Sequence, residues 1–72
     1  MRNNIKDFRK SLKMTQEELA ERVRVTRQTI NAVEQEKYAP ALDLAFKLAT
    51  LFGVGIEDIF IYGGHGRREV KL

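Results

Sequence analysis

Residues 15–35 read TQEELAERVRVTRQTINAVEQ, and this stretch contains two helix starts in close succession. Thr15 followed by Glu18 is a capping box, in which the hydroxyl accepts from an N–H of the first turn and the carboxylate accepts from the N–H of Thr15. Thr26 is a second N-cap signal, and Val25 before it is an apolar anchor. The sequence therefore predicts two short helices joined by a tight corner, the second over about residues 27–35.

Small and apolar residues give these two helices a common inner side. Ala20 is small enough to let the helices cross closely, while Ile30 and Val33 face the core from the second helix. Two helices with this spacing are typical of a helix-turn-helix, here over about residues 16–35. The opposite face of the second helix would then project outward, where it could enter the major groove of DNA.

The outward residues of the second helix carry side chains that suit base recognition. Arg27 can pair with guanine, and Gln28 and Asn31 can each pair with adenine. Thr29 can offer its methyl group to thymine. The alternative interpretation of the same residues is an ordinary solvated helix face.

The rest of the chain also predicts helices. Ile5, Phe8 and Leu12 recur on one face of a first helix that ends near Lys13. Pro40 suits the start of a fourth helix, which is apolar almost all round over residues 41–52 and is expected to be enclosed by the others.

A short fifth helix is predicted over about residues 56–60, after the break at residues 53–55. The fold class expected is therefore all-α with five helices. The domain is expected to span residues 1–62, followed by a flexible, basic C-terminal tail over residues 63–72.

Composition excludes several classes of protein. The 72 residues are 43% hydrophobic and 32% charged, with no cysteine and one histidine, His65. One small domain is expected, without disulfides, a metal site or a cofactor. The absence of a spanning segment and of a secretory signal predicts a cytoplasmic protein without membrane contact. The net charge of +3 weakly favours an anionic partner.

Catalysis is not expected from this sequence. Ser11 has no histidine near it, and no glycine-rich phosphate loop is present. The acidic residues lie on the surfaces of predicted helices, so the chain is not expected to be an enzyme.

Several motifs together resemble the small Xre-type helix-turn-helix regulators, which share a five-helix domain with lambda-type phage repressors and Cro. The resemblance covers residues 5–62. It is carried by residues 15–20 (TQEELA), 25–30 (VTRQTI), Glu34, Lys37, Tyr38, Pro40, and residues 52–54 (FGV) and 56–60 (IEDIF).

The resemblance implies a sequence-specific, DNA-binding transcriptional regulator, acting as a repressor, whose third helix enters the major groove of double-stranded DNA. It implies that Gln16 touches a phosphate and braces the third helix, and that Arg9 and Glu34 form a structural ion pair. The residues expected to contact DNA are Gln16, Arg24, Thr26, Arg27, Gln28, Thr29, Asn31, Lys37 and Tyr38.

Two residues depart from the family pattern. Glu36 stands where many relatives end the third helix with glycine. Arg24 stands where relatives usually have glycine at the corner between the second and third helices, a position expected to need a left-handed backbone. Arg24 would compensate for that strain by reaching a phosphate. The carboxylate of Glu36 would lie unfavourably near the carboxyl end of a helix.

The apolar run Ile59, Phe60, Ile61 and Tyr62 is large for so short a segment. We expect its outer face to form a homodimer contact, or, if residues 60–62 are extended, two copies to pair as strands. The alternative is that the run only closes the core. The alternative function is an antitoxin or adaptor that uses this fold to bind a protein partner, with the tail as the docking segment.

Overall fold

The structure, a computed structural model, describes residues 1–62, which contain five helices and one pair of short strands. The elements are β1 (Arg2–Asn3), α1 (Ile5–Ser11), α2 (Gln16–Arg22), α3 (Arg27–Glu34), α4 (Leu42–Phe52), α5 (Ile56–Ile59) and β2 (Phe60–Ile61). The five-helix, mostly helical fold is thus confirmed. Within residues 1–62, no helix is long and apolar enough to cross a membrane. The predicted tail, residues 63–72, lies outside the described residues.

The two helix starts are formed as the sequence predicts. The backbone N–H of Glu18 donates to Thr15 Oγ1 at 3.0 Å, and the N–H of Thr15 donates to Glu18 Oε1 at 2.8 Å. The N–H of Thr29 donates to Thr26 Oγ1 at 3.2 Å. These caps satisfy backbone donors that the first turns leave free, and so they fix where α2 and α3 begin.

The first four helices end in the same backbone arrangement, with one residue in the left-handed conformation. These residues are Lys13 (φ 59°), Arg24 (φ 62°), Glu36 (φ 64°) and Gly53 (φ 71°). At the corner between α2 and α3, the N–H of Val25 donates to the carbonyl of Ala20 at 3.0 Å, which is a Schellman closure. The left-handed backbone expected at Arg24 is therefore present, and Lys13 and Glu36 adopt the same conformation without having been predicted to do so.

The core lies between the helices and draws on all five of them. Its completely buried apolar side chains are Ile5, Leu19, Ile30, Val33, Leu48 and Ile59. Phe8 of α1 stacks on Phe52 of α4 with ring centroids 5.3 Å apart, at the margin of this core. Arg9 is the buried charged residue of the described chain, at 8% exposure.

Two expectations about helix faces are wrong. Helix α4 is not enclosed on all sides, because Leu42 is 68% and Phe46 is 54% exposed. Leu12 does not continue the buried face of α1, because the helix has already ended and the side chain is half exposed. In both cases an apolar residue continues the helical pattern in the sequence, but no neighbouring element covers it.

A strand pair near the two ends of the described chain is not foreseen by helical periodicity. Strands β1 and β2 pair antiparallel, with Arg2 opposite Ile61 and Asn3 opposite Phe60. The Asn3 side chain donates from Nδ2 to the carbonyl of Val33 at 2.8 Å and accepts from the N–H of Ile5 at 3.2 Å. The strand pair therefore ties the start of the chain to β2, and the Asn3 side chain ties it to the last turn of α3.

Candidate nucleic-acid interface

Helix α3 packs on the core through one face and leaves the opposite face on the surface of the domain. Ile30 and Val33 are completely buried, and they pack in the same cluster as Ala20 and Val23. Because successive residues of a helix advance by about 100°, the face opposite this buried pair contains Gln28, Ala32 and Gln35. Of the four residues predicted to face outward, Gln28 lies on this face.

The residues expected to read bases lie on or beside that face. Arg27 and Gln28 are exposed, while Thr29 and Asn31 are half-buried. They lie within the first five residues of α3, and the N-terminal part of a recognition helix is the part that contacts base edges. Their contact with DNA stays a prediction.

The two threonines at the start of α3 are engaged with each other. Thr26 Oγ1 caps the N–H of Thr29, and the two hydroxyl oxygens lie 3.1 Å apart in a hydrogen bond. Both hydroxyl groups therefore shape the first turn. The methyl group of Thr29 is the part of that side chain still suited to an apolar base contact.

A buried ion pair joins α1 to α3. Arg9 donates from Nε to Glu34 Oε2 at 2.7 Å and from Nη2 to Glu34 Oε1 at 3.2 Å. The side chains of Arg9 and Glu34 are only 10% and 5% exposed. Arg9 also donates from Nη1 to the carbonyl of Met14 at 2.9 Å. The pair that the resemblance implied is therefore present, and its position makes it a support for α3.

A chain of amide hydrogen bonds continues from this ion pair to the outer face. Gln16 donates from Nε2 to Glu34 Oε1 at 3.1 Å and to Asn31 Oδ1 at 3.2 Å. Gln35 also donates from Nε2 to Asn31 Oδ1, at 3.2 Å. Gln16 thus braces α3, as the resemblance implied. A phosphate contact by its Nε2 would require one of these two bonds to be exchanged, because both amide hydrogens are used.

Basic side chains surround the place where α1, α2 and α3 approach one another. An open cleft there is lined by Arg9, Lys10, Lys13, Met14, Thr15, Gln16, Glu17 and Arg27. Lys10, Lys13 and Arg27 are exposed at this cleft. The arrangement places three mobile cations beside the start of α2, and so it is chemically suited to phosphate oxygens.

Three further predicted contacts lie at the ends of the two helices. Arg24 is exposed at the corner that follows α2. Lys37 and Tyr38 are exposed in the segment that follows α3. All three can be reached by a ligand, but none shares the cleft described above.

The four residues predicted for a dimer contact are not equivalent. Ile59 is completely buried and Phe60 is also buried, so both contribute to the core of their own chain. Ile61 is half-buried and Tyr62 is 80% exposed. Phe60 and Ile61 are indeed extended, but their strand partner is β1 of the same chain. Only Ile61 and Tyr62 are therefore placed to meet a second copy.

Sequence reasoning missed several residues of this surface. Lys10 and Lys13 line the cleft, although neither is among the residues that the sequence predicts to contact DNA. The sequence predicts Gln35 only as the last residue of a helix, whereas its side chain also donates a hydrogen bond to Asn31. The spacing of Asn31 and Gln35, four residues apart on one helix, is the signal that could have indicated this bond.

Comparison with known proteins gives a consistent result. Residues 5–59 match a family described as helix-turn-helix. The chain is 56% identical over 62 residues to an uncharacterized HTH-type transcriptional regulator of Methanocaldococcus jannaschii, covering 86% of this chain and 94% of that protein. A similar regulator of Methanothermobacter thermautotrophicus is 54% identical over 69 residues, covering 94% and 100%. One from Bacillus subtilis is 43% identical over 60 residues, covering 83% and 91%.

Proposed function

This chain belongs to the helix-turn-helix family of DNA-binding transcriptional regulators, and we propose that it recognises a specific operator with α3 in the major groove. The observation that carries the proposal is the anchoring of α3. Two completely buried residues, Ile30 and Val33, hold one face, and a hydrogen-bonded network from Arg9 holds the side. The remaining polar face is rigid and outward, as base recognition requires.

The proposed contacts divide into two kinds. Arg27, Gln28, Thr29 and Asn31 meet base edges, because they lie within the first five residues of α3. Phosphate contacts come from Gln16, Arg24, Thr26, Lys37 and Tyr38, to which the cleft adds Lys10 and Lys13. Phosphate contacts supply most of the affinity and the base contacts supply the choice of sequence.

We further propose a homodimer that represses transcription from a two-fold symmetric operator. Helix-turn-helix dimers bind half-sites about one helical turn apart, so that each α3 enters the same face of the duplex. The exposed Tyr62 and the half-buried Ile61 lie next to each other at the end of β2 and are the proposed contact.

Selection of bound sequences from random DNA tests the proposal. The expected result is a two-fold symmetric site, and the absence of any enriched sequence would contradict it. In the selected site, Gln28→Ala should relax preference at one base position at a cost of about 1–3 kcal/mol. Thr50→Ala, an exposed change on α4, is the control and should leave every position unchanged.

The second candidate is an antitoxin or adaptor that binds a protein. The observation that favours it is the exposure of Leu42 and Phe46, which lie four residues apart and so share one face of α4. Exposed apolar side chains of this size are frequent at protein interfaces. Retention of a stable protein partner after Arg27 and Gln28 are both replaced by alanine would favour this function over operator binding.

A further inference from the structure

We propose that Asn31 recognises its base only as a hydrogen-bond donor and therefore selects guanine over adenine. The proposal rests on the proposed function, since it concerns which base α3 prefers at one position. It differs from the adenine contact expected from the residue type alone. Hydrogen bonds through Gln16 connect the buried ion pair of Arg9 and Glu34 to Asn31.

The carboxylate of Glu34 sets the direction of the first bond. Paired with Arg9 at 2.7 Å and almost fully buried, Glu34 offers only acceptor atoms. The group of Gln16 that faces Glu34 at 3.1 Å must therefore be the amide nitrogen and not the amide oxygen. This requirement is chemical, because two oxygen acceptors would repel each other at that distance.

The orientation of Gln16 then sets the orientation of Asn31. The same Nε2 atom of Gln16 lies 3.2 Å from Asn31 Oδ1 and uses its second hydrogen there. Nε2 of Gln35 donates to the same oxygen at 3.2 Å. An amide oxygen has two lone pairs, so both acceptor positions of Asn31 are filled from within the protein.

Only the amide nitrogen of Asn31 remains to recognise a ligand. Within residues 1–62, no hydrogen bond from Nδ2 of Asn31 to the protein is formed, whereas Oδ1 accepts two. The half-buried side chain thus presents two N–H donors at the outer surface of α3. Gln16, Glu34 and Gln35 act as positioning residues for this amide.

The major-groove edges of the bases respond differently to such a donor. Guanine presents two adjacent acceptors, N7 and O6, whereas adenine presents the N7 acceptor beside an N6 donor. An asparagine with a free carbonyl pairs with adenine through both groups. Asn31 would instead place N–H against N6–H of adenine, so guanine is preferred.

Selection from random DNA with the wild-type protein and with Asn31→Ala locates the position that Asn31 reads. That position should be the one whose preference disappears in the variant, and the wild-type preference there should be guanine over adenine by about fivefold or more. Adenine at that position would overturn this inference alone. If Asn31→Ala changes no position, the amide meets a phosphate or nothing, and the inference is also wrong. Failure of the wild-type protein to enrich any sequence would instead overturn the proposed function.

A second variant tests the positioning network separately from the contact. In Gln16→Ala/Gln35→Ala, Oδ1 of Asn31 loses both internal donors, so the amide can turn and pair with adenine. The ratio of guanine to adenine affinity should fall toward one, while Glu21→Ala, an exposed change on α2 outside both the network and the cleft, should leave the ratio unchanged. A purely structural role would weaken binding to both bases equally, and an unchanged ratio in the double variant would contradict the proposal.

Discussion

Lys13, Arg24 and Glu36 place a charged side chain where the backbone favours glycine. Each follows a helix in the left-handed conformation, which costs a residue with a Cβ atom about 1–2 kcal/mol. The end of α4 has Gly53 in the same conformation and avoids this cost. Two of the three charged residues are basic, and Lys13 lines the cleft beside α2. The strain therefore coincides with the surface proposed to bind DNA, where such strain is often found.

Glu36→Gly should stabilise the protein. Glycine relieves the left-handed strain, and the change also removes a carboxylate from the carboxyl end of α3, where the helix dipole disfavours it. We expect the free energy of unfolding to rise by about 1 kcal/mol, which corresponds to a rise in Tm of about 4–8 °C for a domain of this size. Thermal denaturation followed by circular dichroism measures it.

Glu36→Gln is the matched control, because it removes the charge and keeps the Cβ atom. It should give only the electrostatic part of the gain, a few tenths of a kcal/mol. Equal stabilisation by both variants would show that backbone strain at this position is negligible.

The sequence could predict some of these individual positions and not others. Arg24 and Glu36 can be identified from the sequence because relatives in the family usually have glycine at both positions. No sequence pattern predicts the left-handed backbone at Lys13. The direction of the Asn31 amide could not be predicted either, because it depends on Gln16. In sequence Gln16 is 15 residues from Asn31 and 18 residues from Glu34, and it meets them only after α2 and α3 pack.

The elements are joined by a few long-range polar contacts as well as by the apolar core. Asn3 links β1 to the carbonyl of Val33 in α3, and the N–H of Asn4 donates to the carbonyl of Ile59 at 2.8 Å. Strands of two residues have no periodicity to detect, so the sequence could predict the helices and not this closure. The caps at Thr15 and Thr26 were predictable because each is a local pattern of three or four residues.

Breaking the link between α1 and α3 should be strongly destabilising. Arg9→Met leaves the carboxylate of Glu34 buried without its cation, and removal of one partner of a buried pair costs about 3–5 kcal/mol. We expect the urea midpoint of unfolding to fall accordingly. Urea denaturation at neutral pH measures this loss.

The double variant Arg9→Met/Glu34→Leu separates two contributions to this loss. One is the attraction between the two charges, and the other is the cost of leaving the Glu34 carboxylate buried without a cation. Because both charges are replaced by apolar groups of similar size, most of the stability should return. If the double variant is as unstable as Arg9→Met, the hydrogen bonds of Glu34 and Arg9 to Gln16 and Met14 are the larger contribution.

The charge of the molecule is divided between surfaces with different roles. The cleft beside the start of α2 gathers Lys10, Lys13 and Arg27, whereas Lys47 on α4 is paired with Asp43 at 3.2 Å. Glu17 is the exposed carboxylate in the lining of this cleft, so a phosphate there would meet an excess of positive charge. Affinity for DNA should depend on which lysine is removed, and not on the net charge alone.

Lys13→Gly should make the protein more stable and a weaker DNA binder. Glycine suits the left-handed backbone at this position, but the change removes a proposed phosphate contact. In DNA-binding titrations at several salt concentrations, the slope of log affinity against log salt should become shallower by about 0.9, with a similar loss for every sequence. Lys47→Gln removes the same charge from α4 and should leave the slope unchanged. If the two variants behave alike, the cleft has no special part in binding, and the strain at Lys13 serves some purpose other than phosphate contact.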